Sequence, residues 1–389
     1  MSAPVSADNA GAEVGGAVDA RSEDRRFMAL ALTLGRRGLG RTWPNPAVGA
    51  VLVKDGVIIG RGWTQAGGRP HAEIEALRRA GEAARGATLY VTLEPCSHHG
   101  KSPPCADAVI AAHVARVVSA LEDPNPEVAG QGHARLRAAG IAVDVGVGAH
   151  EARRDHAGHI RRMRDGRPHV MLKLAVSADG KAGAPGRRPV AITGEAARDR
   201  VHLLRAQSDA VMVGIGTVLA DDPLLTCRLP GMAAYSPVRI VLDSALRLPS
   251  ASRLVRSARE TPVWVVAAPA AAPRAAEALC AHGVEILHAE VLHAEADDGR
   301  LDLADVLKTL AARGVTRLMA EGGPILAAAL ITADLVDEAN LFHSSKRVGP
   351  GGIDALEGLP LSALTQSPRL QSVASFPIGA DRCELFERR

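Results

Sequence analysis

His71, Glu73, Cys96 and Cys105 are the residues of this chain whose types and spacing can do chemistry together. One imidazole nitrogen and two thiolate sulfurs form a three-donor set for a borderline-soft, tetrahedral ion such as Zn²⁺. The fourth position is then left to water, which is the pattern of a catalytic site. Glu73 follows His71 by two residues, roughly 200° around a helix, so its carboxylate need not ligate the same ion. It stands instead where it can carry the proton of that water. Pro103 and Pro104 set Cys105 at a helix start, where proline is tolerated. The N–H groups there are expected to lower its thiol pKa. The competing reading is a closed structural site with His98 or His99 as a fourth donor.

The elements that must position these groups follow from the surrounding pattern. Gly67, Gly68 and Pro70 lead into a helix that starts at His71, LYVTL reads as the strand that delivers Cys96, and CADAVIAAHV as a helix. Upstream, Phe27, Leu30, Ala31 and Leu34 share one helical face. Two β-branched runs joined by Lys54-Asp55-Gly56 predict a hairpin. Asn45, held extended by Pro46, is either a plain turn residue or an amide facing a substrate ring. ARVVSAL, GHARLRAAG and IAVDVGV continue as strand, helix and strand, which predicts α/β layers. His98, His99 and Lys101 share a loop and are either phosphate contacts or solvated.

Length and composition bound the rest. At 389 residues the chain needs two domains. Its 46 basic and 43 acidic residues leave +3, and only 2% of residues are aromatic, so neither a polyanion surface nor base-stacking platforms are present for nucleic acid. A small molecule is the expected partner. The remaining Cys227, Cys280 and Cys383 read as reduced thiols of a cytoplasmic protein. No run approaches the ~18 apolar residues of a membrane span. Residues 1–23 read as a disordered tail, and Asp8, Glu13 and Asp19 argue against a transit peptide. A first domain is expected over 24–149, a charged connector over 150–168 and a second domain over 169–389.

In the second domain PHVMLKLAVSADG predicts a buried strand carrying Lys173, Ser177 and Asp179, and GEAARDRVHLLRAQ a helix. DAVMVGIGTVLADDP is a strand and glycine turn, PVRIVLD, PVWVVAA and VEIL are strands, and LADVLKTLAARG is a helix. GIGTVL lacks the third glycine of a dinucleotide fingerprint. In EGGPILAAAL the paired glycines allow close backbone approach and Pro324 suits the first helical position. This is either an anion site made of N–H groups or a tight structural turn.

TLEPCSHHGKSPPC places eight residues between its cysteines, whereas zinc nucleobase deaminases pair H-x-E with C-x-x-C. This longer form resembles the bifunctional riboflavin-biosynthesis deaminase/reductase family. LKLAVSADGKAG, HLLRAQSDAVMVGIGTVLADDPLLTCR and AEGGPILAAAL look like the reductase half of that family, so the resemblance runs from about Asp24 onward. It implies a cytidine-deaminase-like three-layer α/β/α domain followed by a dihydrofolate-reductase-like α/β domain. It also implies Zn²⁺ and NADPH as cofactors, and a homo-oligomer is expected. The first domain would deaminate a diamino-pyrimidinone carrying a phosphoribosylamino group, and the second would reduce its ribose to ribityl.

By the same resemblance Ala175, Ala191, Thr217, Asp221 and the turn Gly323, Pro324, Ile325, Leu326, Ala327, Ala328 and Ala329 would hold NADPH. Asn45, Lys101, Lys173, Asp179, Arg205, Leu225, Arg228 and Glu321 would hold substrate, with Arg205 and Arg228 converging on its phosphate. Lys173 and Asp179 would orient or protonate the opened ribosyl imine. The chain departs from the family where RPVAITG puts Ala191 in place of a tryptophan, and again in LFHSSKRVGPGGIDAL. Three alternatives follow: a deaminase with a degenerate second domain, a nucleic-acid or free-nucleobase deaminase, and a zinc-stabilised binding module.

Overall fold

The apolar run Gly49–Lys54 forms β1, buried along its length because strands flank it on both sides. The computed structural model describes residues 14–98, 103–126, 128–292 and 299–389. Two units divide the chain: Met1–Gly38, Ala47–Gln65 and Arg69–His156 form one, and Leu39–Pro46, Ala66–Gly68 and Ala157–Arg389 the other.

In the first unit α1 spans Val14–Gly35 and carries buried Phe27, Ala31 and Leu34. Helix from Val14 corrects the expected tail, because Ala, Arg and Glu in AVDARSEDRR favour helix; residues 1–13 lie outside the described residues. Asp55-Gly56 turns β1 into β2, Val57–Trp63. Then come α2 Ala72–Ala80, β3 Thr88–Val91, α3 Cys105–Ala111, β4 Arg116–Ser119, α4 Gln131–Ala138, β5 Ala142–Val145 and α5 Ala149–Asp155. The sheet order is β2-β1-β3-β4-β5, antiparallel around β1 and parallel from β3 to β5. Helix α2 lies tight on β2 at Gly62, where a Cβ would stand 2.1 Å from Ala72 O. That contact seats the helix start bearing His71 and Glu73.

The second unit opens on α6, Ala157–Asp165, so the charged connector is helical on both sides of His156. It continues with β6 His169–Val176, β7 Lys181–Gly183, α7 Glu195–Ala206, β8 Ala210–Gly214, α8 Ile215–Asp221, β9 Val238–Leu242 and α9 Arg253–Arg256. Next are β10 Val263–Ala267, α10 Pro273–Ala281, β11 Glu285–His288, α11 Leu303–Ala312, β12 Arg317–Ala320 and α12 Pro324–Thr332. The series ends with β13 Glu338–His343, β14 Ile353–Asp354, α13 Ser362–Thr365, β15 Leu370–Ile378 and β16 Asp381–Arg388.

Nine strands make one sheet in the order β11-β10-β9-β8-β12-β6-β13-β16-β15. The strands from β11 to β13 are parallel and β16 and β15 add an antiparallel end. Continuous apolar strands such as VWVVA in β10 are what a parallel sheet covered on both faces requires. Of the three central strands, β8 ends at Gly214 and β12 just before Glu321, where ligands bind in open α/β sheets, and mid-strand Lys173 of β6 lies level with that end of β12.

Candidate active sites

In the first unit His71 caps α2, Glu73 lies in its first turn, Cys96 follows β3 and Cys105 opens α3. These elements bring the donors together. His71 Nδ1 is 3.3 Å from Cys105 Sγ and 3.7 Å from Cys96 Sγ, and the three donor atoms lie within 4.8 Å of one another. One nitrogen and two sulfurs at that separation suit zinc. His98, the alternative fourth donor, is exposed and outside this group. His99 and Lys101 lie outside the described residues.

The charge pattern corrects one expectation. The helix start at Cys105 donates its backbone N–H to Cys96 Sγ at 3.3 Å, so Cys96 is the favoured thiolate. The Cys105 thiol, with help from His71, overcomes burial and brings the Cys96 pKa down to about 4. The Cys105 thiol is pushed up by that same hydrogen bond and by burial. His71 is raised by its bond to Cys96 against the effect of burial. Glu73, 3% exposed, is pushed up to about 7 by burial, with His71 opposing.

In the second unit Glu321, just past β12, receives Arg205 from the end of α7. Nε meets Oε2 and Nη2 meets Oε1, both at 2.8 Å, while Nη1 donates to Thr226 O at 3.0 Å. Lys173 Nζ lies 3.7 Å from Glu321 Oε1. Burial pushes the Lys173 pKa down, with Glu321 opposing and Arg205 adding to the fall. Here the Arg205 fork is engaged by Glu321 and does not stand open beside Arg228. Arg228 is exposed, and its backbone N–H donates to His202 Nδ1 at 3.3 Å.

Thr217 Oγ1 accepts the N–H of Gly323 at 3.1 Å, so the two glycine turns meet. Gly323 caps α12 with Pro324 in its first turn; Leu326, Ala327 and Ala328 are buried, and Ile325 is exposed. Leu225 is buried with φ +56°, and Asp221 is exposed at the end of α8. Ala175 is half-buried on β6 opposite Phe342, and the exposed Ala191 gives its carbonyl to Lys346 Nζ at 3.1 Å.

Asp179 gathers several donors. Its carboxylate accepts Ser177 Oγ at 2.7 Å and the N–H groups of Val348 and Gly349 at 3.0 and 2.8 Å. Those bonds hold it well below the usual carboxylate range and tie the 177–179 turn to the 348–349 backbone. Asn45 donates to Gly68 O at 2.8 Å, tying two turns together. Sequence reasoning missed Glu94, buried beside the Cys96 turn, and Asp243, 1% exposed at the end of β9. The only available signal was their place directly after strand-like runs.

A family model for the cytidine and deoxycytidylate deaminase zinc-binding region matches residues 21–121. One for the RibD C-terminal domain matches residues 168–383. The riboflavin biosynthesis protein RibD of Escherichia coli (strain K12) is 42% identical over 374 residues, covering 93% of this chain and 98% of its own. RibD of Aquifex aeolicus is 38% identical over 368 residues, covering 95% and 99%. A solved structure of Acinetobacter baumannii RibD superposes with TM-score 0.83 at 35% identity, covering 95% of this chain and 99% of that one. A deaminase/reductase structure from Thermotoga maritima gives 0.80 at 34%, covering 95% and 100%. With a deaminase domain built around His71, Cys96 and Cys105 and a reductase domain built on the nine-stranded sheet, the chain belongs to the RibD family of bifunctional riboflavin-biosynthesis enzymes.

Proposed function

We propose that His71, Cys96 and Cys105 hold Zn²⁺ while Glu73 moves the protons of a hydrolytic deamination, and that the second unit carries an NADPH-dependent reduction. The observation behind the first half is the convergence of one nitrogen and two sulfurs beside a buried carboxylate. Zinc, when bound, supplies the Lewis acidity that makes water a nucleophile at neutral pH. Glu73 passes the first proton of the attacking water to the ring nitrogen, then moves the second, from the added hydroxyl, to the exocyclic amine, which leaves as ammonia while the carbonyl forms. Burial by itself pushes that carboxylate up, toward the range of a group that can both accept and give a proton. The substrate is a diamino-pyrimidinone bearing a phosphoribosylamino group, with Asn45 and Lys101 as its contacts.

NADPH, when bound, supplies hydride. Thr217 fixes Gly323 at the start of α12, where backbone N–H groups suit a phosphate; Ala175, Ala191 and Asp221 complete that cofactor set. Arg228 and Leu225 bind the substrate's phosphorylated end, and Lys173 protonates the opened ribosyl imine as its carbon is reduced. Arg205 and Glu321 hold Lys173 in place. The degenerate-reductase alternative is disfavoured by the match across 168–383. The free thiols of all five cysteines support a cytoplasmic setting, and the unpaired edge of β15 supports a homo-oligomer. Among the described residues no helix is long and apolar enough to cross a membrane.

The test is product analysis with the phosphoribosylamino-pyrimidine. Ammonia is expected without NADPH, and NADPH oxidation only after deamination, mole for mole. Ammonia from cytidine or adenosine instead would overturn this reading.

A further inference from the structure

Glu94 stands two residues before Cys96, with its side chain fully buried. Its carboxylate is occupied by a segment well down the chain. Oε2 accepts the N–H groups of Asp123 at 3.1 Å and Gly130 at 2.9 Å, and Oε1 accepts that of His133 at 3.1 Å. The nearest base, His133 Nδ1 at 3.7 Å, is one whose pKa burial lowers. An ionised carboxylate kept from water is costly unless hydrogen-bonded, and three charge-assisted N–H bonds meet that need.

The same segment presses on the turn that bears the donor. A Cβ at Gly132 would stand 2.1 Å from Pro95 O, so the 130–133 backbone lies directly on Pro95. Arg135 donates to Ser97 O at 3.1 Å and pairs with Asp107 of α3 at 2.7 Å. The N–H of Ala106 donates to Cys96 O at 3.1 Å. Residues 94–97 are thus gripped from both sides, and Glu94 is the group that draws the 123–133 segment against them.

We propose that Glu94 is a positioning residue of the deaminase site: by binding the 123–133 backbone it fixes the Pro95–Cys96 turn and so the place of the Cys96 sulfur. This rests on Cys96 being a zinc donor. Glu94, Glu122 and His133 also lie close enough together to suggest a second cation site, but the three N–H groups already occupy the Glu94 oxygens.

The test measures zinc content of the full-length protein, then the rate at which a chromogenic chelator extracts it, then both activities. Glu94→Gln puts an amide where an anion received N–H groups. Gly132→Ala pushes on Pro95 O and on the Glu94 side chain while keeping its charge, and serves if the first variant fails to fold. Both are expected to lose zinc about tenfold faster and to lose deaminase kcat about tenfold. KM and reductase turnover on supplied deaminated substrate should stay within about twofold of the parent. Glu122→Gln is expected to behave as the parent. Parent-like extraction and kcat in the folded variants would overturn the proposal. So would two tightly held zinc ions per chain in the parent, because they would make Glu94 a ligand. A parent without zinc removes the metal reading itself, and the clamp with it.

Discussion

Arg205 and Glu321 meet edge to edge through two parallel 2.8 Å hydrogen bonds, although 116 residues separate them in the chain. Lys173 reaches the same carboxylate at 3.7 Å, so one acid answers two cations in a site largely closed to water. Burial alone would raise the Glu321 pKa, but Arg205 and Lys173 together hold it below its ordinary value. The arrangement makes Glu321 the centre of this charge cluster, and in the proposed reduction Lys173 is its reactive end.

Removing that charge has a direct consequence. Glu321→Gln leaves two buried cations facing each other, and breaking such a pair costs about 3 kcal/mol. The second unit should unfold at lower denaturant, and NADPH oxidation should fall at least about tenfold. Ammonia release by the same sample should be unchanged. A variant with parent-like reduction would remove Glu321 from the site.

Glu73→Gln is nearly isosteric and cannot accept the proton of water. Zinc content should match the parent while ammonia release falls by about 10³-fold, within the usual range for losing a general base. Metal analysis beside an ammonia assay separates this outcome from loss of the ion. Ordinary turnover would refute the role.

His169, at the start of β6, is pushed down to about 4 by burial, with the neighbouring Arg317 adding to the fall. The folded protein thus prefers the neutral ring, while the unfolded chain protonates near 6.5. Between those values the unfolded state binds more protons, so stability is full above about pH 6.5 and falls as pH drops toward 4. The loss should approach about 3 kcal/mol. Denaturant unfolding across that window measures it, and His169→Gln should flatten the dependence. A parent whose second unit is equally stable at both ends would contradict this.

Ala191 is exposed, and its backbone carbonyl is engaged by Lys346. Placing an aromatic there, Ala191→Trp, adds a stacking surface worth about 1 kcal/mol. KM for NADPH should drop roughly fivefold, with kcat little changed. An unchanged KM would show that the segment does not face the cofactor.

The deaminase site was readable because its chemistry is local: His71 and Glu73 share a helix start, and Cys96 and Cys105 flank one loop. Continuous apolar runs such as VWVVA likewise read as strands. The clamp by Glu94 was not readable, since its partners are main-chain N–H groups that no residue type betrays. The pairing of Arg205 with Glu321 was likewise not readable, because only the fold brings the two together. The C-terminal hairpin of β15 and β16 went unseen because β15 is exposed along most of its length and shows no alternation.

The central claim is that three side chains grip the metal and the protein offers no fourth. X-ray absorption at the zinc edge of the purified enzyme measures this most directly. One nitrogen and two sulfur donors from the chain, with a light atom that a competitive ligand can replace, is the predicted result. Four protein donors around zinc, or protein that binds none, would contradict it.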